Sequence, residues 1–174
     1  MKTFTIKSII LALFAVLSSL TSYSQILQAE ITATGLTCSM CSNAINKQLK
    51  SISEVDSIST DLNTNTFTVY FKKNSDLVPR ILKNAIEKAG FFVGNMVLTM
   101  QIPASNFDNN TAKVGNATFL FMDSKEPAPN TPTQFRVLDK GFVTQKEYKK
   151  LAKSYVKYAS YATDNENLYH VKAI

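Results

Sequence analysis

Cys38 and Cys41 are the only two thiols in a chain of 174 residues, and they stand three positions apart in Gly35-Leu36-Thr37-Cys38-Ser39-Met40-Cys41. One pair cannot make a disulfide framework, so its chemistry is that of a single redox couple, a single disulfide or one shared soft ion. The pair falls where an alternating stretch, Leu27 to Ala33, gives way to Ser42 to Lys50, with Ala44, Ile45 and Leu49 at helical spacing. A CxxC at a strand-to-helix turn sets its sulfurs at a helix N-terminus, where unpaired N–H groups and the helix dipole favour thiolate. Two thiolates with no second cysteine pair and no nearby His suit a low-coordinate ion such as Cu(I) better than the closed four-ligand shell of structural zinc. Met40 adds a thioether between them as a weak extra ligand.

The elements that would carry this pair follow from periodicity. Val55 to Leu62 and Thr66 to Phe71 alternate as strands around Asn63, Thr64 and Asn65, residues that accept the left-handed backbone of a tight hairpin. Ser75 or Asp76 then caps a helix with Pro79 in its first turn, a buried stripe of Ile81, Leu82, Ala85, Ile86 and Ala89, and Gly90 as its stop. Phe92 to Met100 is a further strand. The order βαββαβ is a ferredoxin-like split unit, which predicts an α+β metal-binding domain over residues 25–101.

The stretch GLTCSMC, the Ser42-Asn43-Ala44-Ile45 helix start and the Glu87-Lys88-Ala89-Gly90-Phe91 helix end resemble the heavy-metal-associated domain family, over residues 26 to 100. That family holds small copper chaperones, metal-binding modules of copper-exporting ATPases and periplasmic mercury-binding proteins. The resemblance implies that Cys38 and Cys41 hold one exposed ion and pass it by thiolate exchange to a partner bearing its own CxxC or Met/Cys site. It also implies that Leu36, at a position where the family usually has Met, packs under the metal loop beside Thr37. Phe91, after the helix-ending glycine, would lie against that loop, as in the ATPase modules more than in the free chaperones.

Residues 102–174 carry no motif tied to chemistry and read as a small α+β region. Pro103 to Asn110 and Glu126 to Pro132 read as loops, Ala117 to Met122, Gln134 to Leu138 and Leu168 to Ile174 as strands, and Lys146 to about Tyr161 as a helix. Thr144 and Glu147 form a capping box for that helix, and Tyr148, Leu151, Ala152, Tyr155, Val156 and Ala159 its apolar face. Its lysines read as a solvated face. Met96, Met100 and Met122 sit in strands where Met fills core gaps, and His170 reads as a solvent-facing or satisfied histidine.

The first 24 residues have a basic start (Lys2, Lys7), an apolar run from Ile9 to Leu17 and a polar stretch ending at Ser24. This is a secretory leader pattern, too short to span a bilayer, and predicts cleavage before Gln25 and a secreted or periplasmic chain with no stable membrane insertion. Without Lys2 and Lys7 the chain has 17 basic against 13 acidic residues, an ordinary balance that points to no nucleic-acid partner. The whole reads as a binding protein and not an enzyme, one that sequesters or relays Cu(I) or another soft ion. The rivals are a mercury scavenger, a thiol–disulfide oxidoreductase and an assembly module. A redox protein of the thioredoxin type would carry an aromatic where Thr37 stands.

Overall fold

The computed structural model describes residues 25–36, 39–123, 128–163 and 165–174, the Ser39 side chain excepted. The expected leader, Thr37 and Cys38 lie outside the described residues, as does part of the loop expected from Glu126. The N-terminal elements are β1 (Gln25–Thr34), α1 (Ser39–Lys50), β2 (Val55–Asp61), β3 (Thr66–Phe71), α2 (Pro79–Lys88) and β4 (Phe92–Gln101). The C-terminal ones are β5 (Phe107–Asp108), β6 (Thr111–Val114), β7 (Ala117–Phe121), β8 (Thr133–Val137), α3 (Gln145–Ser154) and β9 (Leu168–Ala173).

All nine strands join one sheet in the order β2-β3-β1-β4-β8-β9-β7-β6-β5. Its first four strands are the ferredoxin-like set, with β1 central and antiparallel to both β3 and β4. Alternation decides which face is dry: Ala29, Ile31 and Ala33 of β1, Phe67 and Val69 of β3, and Met96, Leu98 and Met100 of β4 are buried against Ile45 and Leu49 of α1 and Leu82 and Ile86 of α2. The opposite face carries Gln28, Glu30, Thr32 and Asn95. In a free ferredoxin-like unit β4 would be an edge, with unpaired N–H and C=O groups. Here β8 pairs with it antiparallel, from Val97↔Arg136 to Met100↔Thr133, so the C-terminal region continues the sheet.

The core also continues. Phe119, Phe121, Phe135 and Val171 belong to the same buried cluster as the N-terminal residues, and Phe121 meets Phe135 at 5.2 Å between ring centroids. Leu120, on the other face of β7, packs instead with Met122, Leu138, Tyr155 and Tyr161 and with Tyr148 and Leu151 of α3. So α3 covers the face opposite to α1 and α2.

Several expectations need correction. α3 ends at Ser154 and not near Tyr161, because Tyr155 leaves helical geometry (φ −107°, ψ 25°) and the chain turns so that the Tyr155 ring meets Tyr158 and Tyr161 edge-on. Val156, expected on the apolar face, is therefore 76% exposed. Thr144 does accept from the Glu147 N–H, but the Glu147 carboxylate is engaged by Arg136 and does not close a capping box. Neither Ser75 nor Asp76 caps α2: its N-cap is Val78, and the Ser75 hydroxyl accepts from Leu77 N–H in the preceding turn. Ile81 of the expected buried stripe is 40% exposed. The stretch expected as a loop to Asn110 ends in the hairpin β5–β6, whose turn residues Asn109 and Asn110 both have positive φ.

Candidate metal centre

The described part of the loop is set by what flanks it. β1 ends at Thr34, and Gly35 follows at φ +89°, a left-handed conformation that side-chain-bearing residues rarely adopt. The chain then turns through Leu36, half-buried and packed on the main core, toward α1. Cys41 is the third residue of α1 and half-buried. It therefore lies in the first turn, the positive end of the helix dipole. That turn carries no acidic residue, while Lys47 and Lys50 stand in the last turn, so the whole helix is oriented to favour negative charge at its start. Ser42, next to Cys41, is 5% exposed, and Met40 points outward at 79% exposed. The Met40 thioether thus sits at the rim.

Facing the loop is the chain that leaves α2. Gly90 (φ +91°) follows the C-cap Ala89; its N–H donates to Glu87 O and the Phe91 N–H to Ile86 O. This double closure is a Schellman stop, which needs glycine at the left-handed position. It delivers Phe91 to Gly35, where its ring carbon Cδ1 lies 3.8 Å from the place a Cβ on that glycine would occupy. Phe91 packs partly buried on the main core, and its neighbour Phe92 is 67% exposed.

Gly94 completes the frame, and sequence reasoning did not single it out. The β1–β4 register passes from Thr32↔Asn95 to Ala33↔Val93, so Gly94 is the extra residue of a bulge. A Cβ there would lie 2.5 Å from Thr34 Cγ2. The signal was a glycine inside a strand pattern, which marks a bulge or a close approach.

The remaining sequence candidates fall elsewhere. Met96, Met100 and Met122 are fully buried, as core gap-fillers should be. His170 is 1% exposed and fully partnered, by Asp139 and Ser160. This relay was also not anticipated, since its three members are far apart in sequence.

Residues 30–92 match the heavy-metal-associated domain family. Among solved structures, the chain is similar to the yeast copper transporter domain Ccc2a in its apo and Cu(I)-loaded states, at 30% identity over 38% of this chain and 90% of that one, with a TM-score of 0.35. A copper-binding domain from HMA7, a P-type ATPase, is 32% identical over 38% of this chain and 88% of that one, with a TM-score of 0.35. The N-terminal domain of a potential copper-translocating P-type ATPase from Bacillus subtilis, solved Cu(I)-loaded, is 30% identical over 38% of this chain and 82% of that one, TM-score 0.35. None of the curated proteins matches the chain.

Proposed function

We propose that this chain, which belongs through residues 30–92 to the heavy-metal-associated domain family, binds one soft metal ion as cargo, Cu(I) first, through Cys38 and Cys41. The observation that carries the reading is the position of Cys41 in the first turn of α1, shortly after the left-handed turn at Gly35, which Phe91 flanks. The cysteine spacing supports it: in sequence Cys38 stands immediately before Ser39, where α1 begins, and Cys41 follows two residues later. Two soft thiolates in a half-buried, acid-free helix start select a soft ion by chemistry and leave it open to an incoming thiol. Release is then exchange: a third thiolate joins, one of the two original sulfurs leaves, and the ion moves without change of oxidation state.

In this role the metal unit carries cargo and turns over no substrate. Its partner is a protein with its own CxxC or Met/Cys site, which meets the loop at the rim formed by Met40 and Phe92, the exposed apolar side chains there. The reading extends to location: the basic start and apolar run of residues 1–24 support a secretory leader, which would put the exchange outside the cytoplasm, in a secreted or periplasmic setting. The test is transfer: Cu(I)-loaded full chain is mixed with a thiol peptide bearing CxxC, and copper is followed by mass. Transfer within minutes supports a relay. Retention against millimolar thiol would favour sequestration, and preferential retention of Hg(II) would favour the mercury alternative.

A further inference from the structure

α3 carries a charge pattern that its packing does not use. At about 100° per residue, Lys146, Lys149, Lys150 and Lys153 fall within an arc of about 100°, whose centre lies opposite Tyr148 and Leu151, the side chains that bury the helix. All four lysines are exposed, and none makes an ion pair among the described residues. The one carboxylate of the helix, Glu147, is turned aside to Arg136. Lys157, past the helix end, is held apart from the stripe by Asp123 at 2.6 Å. Four ammonium groups therefore line about 10 Å of helix with no counter-charge from the described chain. Lys146 stands three and four residues from Lys149 and Lys150, and Lys153 likewise, spacings at which like charges repel and cost a helix stability. The fold leaves that repulsion unrelieved.

The surroundings say what would relieve it. The apolar side of α3 is taken up by the sheet, so the helix cannot lay that side into a bilayer as an interfacial helix does. What it offers outward is charge alone. Each ammonium is a point charge on a flexible stem, and no ion pair fixes its place. Such an array suits a surface whose charges rearrange to meet it, as lipid headgroups do, better than a partner of fixed geometry. Val156, two residues past the helix, is 76% exposed and adds an apolar contact at the end of the stripe.

We propose that Lys146, Lys149, Lys150 and Lys153 dock the chain peripherally on an anionic lipid surface, by charge and without insertion. α3 lies on the face of the sheet opposite α1, so docking leaves the helix start that carries Cys41 uncovered. The proposal does not rest on the metal reading.

The test uses residues 25–174, which hold every described element and lack the apolar run Ile9 to Leu17, a segment that would bind lipid by itself. Vesicles of phosphatidylglycerol and phosphatidylcholine in equal parts should sediment the chain at about 0.01 M salt, where the Debye length is about 30 Å, and release it at about 1 M, where it is about 3 Å. Vesicles of phosphatidylcholine alone should sediment none. With Lys146→Gln, Lys149→Gln, Lys150→Gln and Lys153→Gln combined, binding should weaken at least ten-fold while the circular dichroism spectrum and Cu(I) binding are retained. A control that removes the same charge elsewhere, at the exposed Lys72, Lys73, Lys88 and Lys113, should bind vesicles as the wild type does. If the quadruple α3 variant does not fold, the Lys149→Gln, Lys153→Gln pair, expected to weaken binding several-fold, carries the decision. Equal loss in the control would assign the effect to net charge and overturn the proposal. So would binding that survives 1 M salt, or capture by immobilised heparin with none by the anionic vesicles.

Discussion

Phe91 stands where it does because the Schellman stop at Gly90 turns the chain toward Gly35, and the proposed function gives it a role at the metal beyond packing. Removing its ring should open the sulfurs to water and to competing thiols. Phe91→Ala is expected to speed loss of bound Cu(I) to glutathione several-fold, measured by stopped-flow. Because the residue is only partly buried, the accompanying loss in urea stability should stay below the ~3–5 kcal/mol typical of a fully buried Phe. A full-sized stability loss with unchanged exchange would make it a core residue. Gly94 sets a different limit, since a Cβ would lie 2.5 Å from Thr34 Cγ2, so that either the Thr34 side chain turns away or the strands move apart. Gly94→Ala should cost about 1–3 kcal/mol, as overpacking does, read from the urea midpoint, and weaken metal binding as the bulge beside the loop moves. The helix start that carries Cys41 was legible in the sequence because its signal is local, a change from alternation to helical spacing within a few residues. The Asp139–His170–Ser160 relay was not, because its members meet only when β8, β9 and the turn after α3 have packed.

At the scale of elements, period-2 and period-3.6 patterns located β1, β3, β4, α1 and α2, since each has one face that must be dry. They failed where tertiary contact overrides pattern. Lys146 to Tyr161 keeps a helical stripe throughout, yet Tyr155 leaves helical geometry after Ser154 and meets Tyr158 and Tyr161 edge-on. The β5–β6 hairpin hid in a polar stretch whose Asn109-Asn110 pair was itself the turn signal. Beside the apolar contacts of Tyr148 and Leu151, Arg136 ties α3 to the sheet: its guanidinium forks onto both Glu147 oxygens at 2.7 and 2.8 Å and its Nε donates to Asn95 of β4. Arg136→Ala should lower stability by about 1–2 kcal/mol in urea titration, the range of a part-buried bidentate pair, and a double-mutant cycle with Glu147→Ala should return most of it as coupling. The tyrosines set an upper pH limit. Burial raises the phenol pKa of Tyr155, Tyr161 and Tyr169 above the ordinary 10.0, because it disfavours the phenolate. The unfolded chain therefore loses these protons first. Their contribution is complete below about pH 10 and is lost as pH rises through the folded values. The urea midpoint should hold from pH 8 to 9.5 and fall steeply by pH 11; a flat profile would contradict this.

The whole molecule joins a ferredoxin-like metal unit to a C-terminal region through strand pairing at β4 and a shared apolar core. Dependence across that junction should be unequal. A piece from Gln25 to about Ser105 keeps both helices and all four ferredoxin-like strands, and it is expected to fold and bind metal with its β4 edge bare. Residues 102–174 alone lose the β4 partner of β8 and should be largely unfolded by circular dichroism. An unfolded N-terminal piece in the presence of metal would mean that the boundary near residue 101 does not separate two units. Mass spectrometry of protein recovered from its host should find a chain beginning near Gln25, as the leader reading requires. The central claim is that one soft ion sits between Cys38 and Cys41, and the direct measurement is Cu(I) titration of the reduced full chain against a colorimetric Cu(I) chelator. One equivalent bound per chain, abolished in the Cys38→Ser, Cys41→Ser double variant while its circular dichroism spectrum is retained, is the predicted result. Equal binding by the double variant would contradict the account.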